Sequence, residues 1–427
     1  WLKDSNEPFV ATRELGSRTW DRLRYCCFST NAGASGSLMV VPAGAPALVL
    51  LALAATISRR LPLPSEDTEE PTAVVPGPDL VTLFSTECKS YFDWQTVTLY
   101  RSWKAARVPG RLVRLLACDE RTAIGSRFDS FGEGELQTHV HKAQNEGYPP
   151  LNRPLGVLSW LAAEDGGRAL GDGTVVLIVD PDMAFFVEGV HRGLAPLVER
   201  VRSGAAVALG MDFAYPTMGM RVNNWSVPLH FNLTAVEKLQ GMGVPLMMRK
   251  DQLALLAPDY LRFTAAIVKD PALHALVHDG SQPAPWIAEM YGYSLASASV
   301  GLRYETQRLW PALESPQPPW SGTSRSPLLV HYDHTFYLCG RPFGKALYFN
   351  LDLLHCSTPS SQDLEGLRPP SDSEVVSDSC PLCIKGGDVL GQRSSCWNSS
   401  LDKHYALYAW RQVHDSVSSW RTEKCGT

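Results

Sequence analysis

Short apolar runs alternate with amphipathic stretches through the central part of the chain. Residues 80–85 and 112–117 are apolar runs of strand length, and residues 91–106 between them carry apolar side chains at helical spacing. A strand, a helix and a strand in this order form a βαβ unit, whose right-handed crossover makes the two strands parallel neighbours. The run 175–179 is apolar at every position, which is typical of a strand buried on both faces of a parallel sheet. The pattern predicts an α/β fold built on parallel strands.

The same reasoning predicts the remaining elements. Residues 152–163 are predicted to be helical, with Asn152 as the N-cap and Pro154 suited to the first turn. Ser, Pro, Asp and Gly dominate residues 357–391, which predicts loop or disorder. Further helices are predicted at 285–298 and 401–420, strands at 204–211 and 328–330, and a strand or loop followed by a helix across 245–257.

The amino-terminal part of the chain has a different composition. Residues 38–57 are uncharged and mainly aliphatic, over about the length that spans a bilayer. We predict a transmembrane signal anchor there and a cytosolic leader at 1–37, with a cleaved signal peptide or a miscalled leader as the alternative. Residues 58–79 are rich in Pro, Glu, Asp and Thr and are predicted to form a stem. The rest divides into a globular domain at 80–356 and a Ser-, Pro- and Cys-containing tail at 357–427 that ends in a helix.

Composition indicates a globular chain and argues against a nucleic-acid binder. The chain has 427 residues, of which 44% are hydrophobic, and its formal net charge is -5. The basic residues are scattered and slightly outnumbered, so no basic surface for nucleic acid is expected. This length fits one large domain or two modest ones.

Eight of the ten cysteines lie beyond the apolar run. An even set of this kind predicts disulfides in a secretory lumen, with the pairing left open. Cys380 and Cys383, two residues apart, offer half of a zinc site as an alternative, although no second matching pair follows them. Glycosylation sequons at Asn224, Asn232 and Asn398 agree with a lumenal location.

Two carboxylates follow the apolar run 175–179. Asp180 and Asp182 lie one residue apart at the C-terminal tip of a predicted parallel strand, where open α/β sheets bind ligands. Paired carboxylate oxygens suit Mn²⁺ or Mg²⁺, and such an ion suits a diphosphate, whereas an ordinary turn is the alternative. His331 follows the last predicted core strand, and its imidazole is a good ligand for ions of the Mn²⁺ class. We therefore predict that His331 completes the site and that His334 is a bystander.

Two further side chains carry candidate chemistry. Glu289 places a carboxylate on an otherwise apolar helical segment, which is costly unless the group is paired or functional. Its candidate roles are to stabilise an oxocarbenium-like centre or to hold an acceptor hydroxyl, and a salt bridge is the alternative. Arg153 lies at a helix start, where its charge and the backbone donors favour phosphate. A surface Arg beside an ordinary cap is the alternative for that residue.

Several strings in the region 80–337 resemble one superfamily. It comprises the peptidyl serine α-galactosyltransferases of plants and green algae and their relatives, the hydroxyproline O-arabinosyltransferases. The most specific strings are Phe-Asp-Trp-Gln at 92–95 and Glu-Met-Tyr-Gly-Tyr at 289–293. Shorter matches are Leu-Phe-Ser-Thr-Glu-Cys at 83–88, Arg-Leu-Leu-Ala-Cys at 114–118 and Leu-Asn-Arg-Pro at 151–154.

The resemblance implies a fold, a reaction and a cellular place. The fold is a nucleotide-sugar-binding fold of the GT-A type, with a mixed, mostly parallel sheet flanked by helices. The reaction is sugar transfer with retained anomeric configuration, from UDP-galactose or UDP-arabinofuranose to a Ser- and hydroxyproline-rich extracellular or cell-wall protein. A divalent metal, expected to be Mn²⁺, would assist it. The implied location is the membrane of the endoplasmic reticulum or Golgi, with the catalytic domain in the lumen.

The resemblance and the residue-level reasoning together assign roles to individual positions. Ser85 and Thr86 match the tip of the first strand, where the uridine is expected, and Arg153 matches a Lys or Arg position near the phosphates. The predicted site residues are Asp180, Asp182 and His331 for the metal, Ser85, Thr86, Arg153 and Asp180 for the UDP-sugar, and Glu289 and Arg153 for catalysis.

Two alternatives come from other classes of protein. A haloacid-dehalogenase-like phosphatase also places two Asp residues after a strand. It expects Thr or Val where this chain has Ala184, and it gives His331 no role. A non-catalytic glycan- or peptide-binding relative is the second alternative. Within the preferred class, transfer of galactose to serine is favoured over transfer of arabinofuranose to hydroxyproline. The choice stays open because Asp-Pro-Asp matches neither branch letter for letter and residues 210–245 match little.

Overall fold

The computed structural model describes most of the chain beyond residue 79. The described ranges are 80–119, 135–144, 148–210, 239–271, 288–307, 327–333, 335–356, 366–377, 379–384, 395–397 and 400–426. They belong to one compact unit, Pro71–Thr427. The predicted leader, signal anchor and stem, the three sequons and His334 lie outside the described residues. Among the residues that are described, no helix combines the length and the apolar character needed to cross a membrane.

A seven-stranded sheet forms the centre of this unit. Its strands are β1 (Leu80–Glu87), β2 (Arg111–Ala117), β3 (Leu136–His141), β4 (Val175–Val179), β6 (Ala206–Gly210), β7 (Met242–Arg249) and β8 (Tyr304–Gln307). Their spatial order is β3-β2-β1-β4-β7-β6-β8. β7 runs antiparallel to its neighbours β4 and β6, and every other neighbouring pair is parallel. The prediction of an α/β fold with a mixed, mostly parallel sheet is confirmed.

In the described ranges, five helices flank the sheet, on both of its faces. They are α1 (Ser90–Ala105), α2 (Asn152–Ala162), α3 (Val187–Arg202), α4 (Lys250–Lys269) and α5 (Ala288–Ser299). One apolar core joins the sheet to α2, α4 and α5, and a second joins it to α1 and α3. Strand β4 is buried at every position between the two cores, as its uninterrupted apolar run predicts.

A smaller layer lies beside the main sheet and supplies part of the site. It contains β5 (Met183–Phe185), β9 (Leu329–His331), β10 (Phe336–Leu338), β11 (Arg341–Phe343), α6 (Asp372–Val376), β12 (Leu382–Ile384), β13 (Ser395–Trp397) and α7 (Ser400–Cys425). β5 and β9 form an antiparallel pair, and the other strands form an antiparallel sheet in the order β11-β10-β12-β13. The long helix α7 packs against α1. The strand predicted at 328–330 is therefore real, but it belongs to this layer and not to the main sheet.

Four disulfides join the described cysteines beyond the apolar run. Cys88 pairs with Cys118 at the ends of β1 and β2. The other three, Cys339–Cys380, Cys356–Cys425 and Cys383–Cys396, all lie in the smaller layer. The predicted disulfides are confirmed, and the zinc alternative for Cys380 and Cys383 is wrong because each sulfur is bonded to a different distant cysteine.

Two local predictions are wrong. Asn152 is not the N-cap of α2, because a 3₁₀ turn at Pro149–Leu151 runs directly into the helix and leaves Leu151 at the cap position. The Asn152 side chain instead accepts a hydrogen bond from Gln144 N (2.9 Å) and donates one to Glu87 Oε1 (3.1 Å). The segment 357–391 is not all loop, since it contains α6 and β12. Pairing with β10 and the bond to Cys339 hold β12, and neither is visible as hydrophobic periodicity.

Candidate active site

Asp180, Asp182 and His331 converge beyond the carboxyl end of β4. The chain turns at Asp180, passes Asp182 and enters β5, whose antiparallel register places Met183 opposite His331 in β9. Tyr332 N donates to the Asp182 carbonyl oxygen at 3.1 Å and fixes this turn against β9. One ligand atom from each of the three side chains lies within 4.8 Å of the other two. The predicted grouping of the three residues is therefore present in the structure.

Asp182 is the most deeply buried of the three. It is 2% exposed, and its Oδ1 lies 3.3 Å from His331 Nε2. Its other oxygen, Oδ2, lies 2.5 Å from Lys345 Nζ. Burial by itself raises the pKa of a carboxyl group, but the charges and hydrogen bonds of Lys345 and His331 outweigh it and hold the pKa of Asp182 below its ordinary value. The carboxylate is thus kept ionised, which is the form that binds a cation.

Lys345 is a site residue that the sequence reasoning missed. The β10–β11 hairpin leads into a 3₁₀ turn at Lys345–Tyr348, which carries the lysine back to Asp182 across 163 positions of sequence. No local sequence pattern identifies it, because the residues around it are typical of an ordinary loop. Only the packing of the smaller layer against the main sheet brings the two charges together.

Arg153 links Asp180 to Glu289. It is the second residue of α2, and its guanidinium pairs with Asp180 Oδ1 and, at 3.1 Å, with Glu289 Oε1. Glu289 lies in the first turn of α5 and is 6% exposed. Its backbone N–H donates to the Tyr148 hydroxyl at 2.9 Å. Burial raises the pKa of Glu289, and Arg153 opposes part of that rise. Glu289 is therefore in a salt bridge with Arg153, and the same guanidinium connects it to Asp180 of the metal-type cluster.

The two residues at the tip of β1 face opposite sides of the sheet. The register pairs Phe84 with Val179, so Ser85 and Asp180 occupy neighbouring positions at the carboxyl ends of β1 and β4. Thr86 is buried, and its hydroxyl accepts a hydrogen bond from Arg114 Nε at 2.7 Å on the face of α1. Ser85 is only half-buried and, by strand alternation, lies on the face of α2, as Arg153 does. Of the two predicted uridine contacts, Ser85 is the one placed beside the cluster.

The donor set fits a divalent metal. Two carboxylates and one imidazole are ligands that Mn²⁺-class ions accept, and the buried Asp182 carboxylate requires a positive partner. In the structure Lys345 supplies that partner, with its side chain 26% exposed.

The comparisons with known proteins agree on one family. The model for the "Hydroxyproline O-arabinosyltransferase family N-terminal domain" matches residues 81–306, more than half of the chain. A peptidyl serine alpha-galactosyltransferase of Arabidopsis thaliana is 28% identical over 310 residues, which cover 70% of this chain and 34% of that protein. The corresponding protein of Chlamydomonas reinhardtii is 27% identical, over 64% of this chain and 36% of its own length. The chain thus spans about a third of the length of these two relatives.

An arabinosyltransferase and a solved structure complete the comparison. Hydroxyproline O-arabinosyltransferase 3 of Arabidopsis thaliana is 23% identical over 265 residues, covering 61% of this chain and 65% of that protein. The crystal structure of a galactosyltransferase, LgtC, with donor and acceptor sugar analogs aligns with 59% of this chain and 86% of its own, at a TM-score of 0.36 and 13% identity. The family assignment rests on the matched family model, and it overturns the haloacid-dehalogenase-like alternative. The chain belongs to the hydroxyproline O-arabinosyltransferase family.

Proposed function

We propose that this chain is a retaining, metal-dependent glycosyltransferase that moves a sugar from a UDP-sugar to a protein hydroxyl. The acceptor would be a serine or hydroxyproline of a Pro-rich extracellular protein. The relatives named as serine galactosyltransferases are 28% and 27% identical, against 23% for the arabinosyltransferase, so we favour UDP-galactose and serine. UDP-arabinofuranose with hydroxyproline is the second candidate.

The observation that carries this proposal is the convergence of Asp180, Asp182 and His331, with ligand atoms within 4.8 Å. Carboxyl ends of parallel strands are where α/β folds bind nucleotides, and the cluster lies there beside Ser85. These three residues would hold Mn²⁺ as our preferred ion. When bound, the ion supplies positive charge that stabilises a departing diphosphate.

The remaining side chains of the site fit the requirements of such a transfer. Arg153 and Lys345 bring two positive charges to the edge of the cluster, where a diphosphate would carry its negative charge. Ser85, at the tip of β1, would contact the uridine. Glu289, a buried acid whose Oε1 lies 3.1 Å from Arg153 Nη1, is assigned one of two roles: it stabilises positive charge at the sugar, or it holds the acceptor hydroxyl. Thr86 remains a predicted uridine residue, although its hydroxyl is bonded to Arg114 on the opposite face of the sheet.

The cellular setting is part of the proposal. Four disulfides fit an oxidising compartment, which supports the endoplasmic reticulum or Golgi lumen. The apolar stretch 38–57 is proposed as the membrane anchor on its sequence alone.

A panel of UDP-sugars tests the reaction. The full chain is incubated with Mn²⁺, each UDP-sugar and peptides containing serine, hydroxyproline or neither, and the products are weighed by mass spectrometry. We expect a hexose on the serine peptide. A pentose on the hydroxyproline peptide would select the second candidate, and UDP-sugar binding without hydrolysis or transfer would select the non-catalytic relative.

Glu289→Gln tests the role of the buried acid. The variant keeps the shape and the hydrogen-bonding oxygen but removes the charge, so we expect kcat to fall by about 10²-fold or more with little change in the KM for the donor. An unchanged kcat would leave Glu289 as a structural partner of Arg153.

A further inference from the structure

An exposed apolar surface adjoins the candidate active site. Leu347 is 45% exposed and Phe349 is 55% exposed, whereas most large apolar side chains of the described residues are buried. The Phe349 ring lies 4.6 Å from the Tyr91 ring, which lies 5.0 Å from the ring of Phe92. We call these four residues the apolar ledge. It joins the start of α1 to the turn that follows β11.

The apolar ledge is continuous with the cluster of charges. Leu347 and Phe349 follow Lys345 by two and four positions, and Lys345 Nζ lies 2.5 Å from Asp182 Oδ2. Burial raises the pKa of Tyr91, and the charges of Lys345 and Asp182 act on it in opposite directions. The ledge therefore begins two positions beyond the lysine that pairs with Asp182, and its Phe349 ring packs against the Tyr91 ring.

Single exposed apolar side chains are common on protein surfaces and carry no meaning alone. Leu255, 63% exposed on α4, is an example in this chain. The ledge differs because two exposed side chains lie two positions apart, the buried Tyr91 ring lies against the Phe349 ring at an interplanar angle of 52°, and the group borders a candidate catalytic site. Apolar surface kept in water at such a place indicates that a ligand covers it.

The shape and chemistry of the ledge select the ligand. The exposed Phe349 ring, with Tyr91 and Phe92 packed behind it, offers a flat apolar contact, which suits the pyrrolidine rings of proline and hydroxyproline. A Pro-rich chain is already extended as a polyproline II helix, so it loses little conformational entropy on binding to an aromatic surface. The position of the ledge beside Lys345 and Asp182 would place a hydroxyl of that chain next to the sugar-bearing end of a bound donor.

We propose that the apolar ledge of Tyr91, Phe92, Leu347 and Phe349 binds the acceptor polypeptide as an extended Pro-rich segment. The identity of this ligand as an acceptor rests on the proposed function, whereas its binding does not. The ledge sets which protein segments reach the site, and it is thus a determinant of acceptor specificity.

Binding is measured first, with the full chain and a fluorescently labelled Pro-rich peptide that carries one serine and one hydroxyproline. Fluorescence anisotropy gives the Kd for the wild type and for Phe349→Ala and Leu347→Ser. We expect each variant to bind about tenfold more weakly, the loss that follows removal of a buried apolar contact. Leu255→Ser is the matched control, since it makes the same change at an exposed leucine on α4, outside the ledge, and its Kd should equal that of the wild type.

Three results would overturn the proposal. They are a wild-type Kd in both ledge variants, an equal loss in Leu255→Ser, and equally tight binding of a peptide whose prolines are replaced by glycine. Unfolding midpoints in urea for all four proteins separate a loss of contact from a loss of fold, and because the changed side chains are exposed we expect midpoints within the error of the wild type.

Turnover separates this proposal from the proposed function. Wild-type protein that binds the peptide through the ledge but neither hydrolyses nor transfers any UDP-sugar would refute the enzyme and leave the ledge standing. Wild-type protein that transfers sugar, together with a KM for the peptide that Phe349→Ala leaves unchanged, would refute the ledge and leave the enzyme standing. We expect transfer by the wild type and a KM for the peptide about tenfold higher in Phe349→Ala.

Discussion

Removing the Arg153 guanidinium tests the charge arrangement of the site without any ligand. Arg153 Nη1 lies 3.1 Å from Glu289 Oε1, and the Glu289 side chain is only 8% exposed. Solvent therefore reaches little of the Glu289 carboxylate. In Arg153→Met the apolar stem is largely kept, and the buried carboxylate loses its counter-charge. The Glu289 carboxylate then either stays ionised, at a cost of about 3–5 kcal/mol in folding free energy, or binds a proton.

The cost of protonating Glu289 sets the upper limit of the loss in the free energy of unfolding. The ordinary pKa of Glu289 is 4.5, and burial raises it in the folded protein. Protonating a carboxyl group of ordinary pKa costs about 3.4 kcal/mol at pH 7 and about 0.7 kcal/mol at pH 5, because each pH unit is worth about 1.36 kcal/mol. The folded variant keeps a proton that the unfolded chain releases, so its stability falls as the pH rises from 5 to 7. We expect Arg153→Met to lower the free energy of unfolding by about 3 kcal/mol at pH 7 and by less than about 1 kcal/mol at pH 5.

Urea unfolding at both pH values checks this expectation. The proteins are the wild type, Arg153→Met, Glu289→Gln and the double variant, in which position 289 has no carboxylate to be protonated. The double variant should recover most of the loss at pH 7 and depend on pH as the wild type does. Arg200→Met is the control, since it breaks an exposed pair with Glu305 and should cost less than about 1 kcal/mol at either pH. Equal losses for Arg153→Met at pH 5 and pH 7, or additive single effects, would refute the reasoning.

Two further predictions concern packing and acid stability. An alanine Cβ at Gly292 would lie 2.1 Å from Thr264 Oγ1 and 2.8 Å from Thr264 N, so Gly292→Ala should lower the free energy of unfolding in urea by about 1–3 kcal/mol. Gly193→Ala, with nothing within 4 Å of its Cβ, should be neutral or stabilising, and equal effects of the two would contradict the close contact of α5 with α4. Burial lowers the pKa of His141 below its ordinary 6.5, so below that pH the unfolded chain binds a proton that the folded chain excludes. Stability should fall from pH 7 to pH 5, less steeply in His141→Gln, and an identical slope in that variant would contradict this account.

The sequence predicts those parts of the fold and site that depend on local pattern. The uninterrupted apolar run of β4 predicts a doubly buried parallel strand, and the strand then fixes where Asp180 and Asp182 lie. The isolated acid at 289 on an apolar helix predicts a paired or functional carboxylate, and the structure gives it Arg153 as a partner. In each case a charge among apolar residues is unusual enough to carry information.

The parts that the sequence does not predict depend on contacts between distant segments. His331 reaches Asp182 because β9 pairs with β5, outside the main sheet. Lys345 arrives through a hairpin of the smaller layer, which Cys339–Cys380 and Cys356–Cys425 hold together. Neither strand pairing nor disulfide pairing leaves a periodic signal, so Lys345 has the appearance of an ordinary surface lysine until the packing is known.

The most direct test of the central claim is a titration of the full chain with Mn²⁺, in which the free ion is followed by electron paramagnetic resonance. The account predicts one bound ion per chain in the wild type and none at the same concentrations in Asp182→Ala or His331→Ala. Asp415→Ala, which alters an exposed Asp in contact with His414, should bind as the wild type does. Binding by Asp182→Ala with wild-type affinity, or no binding by the wild type, would contradict a metal held by Asp180, Asp182 and His331.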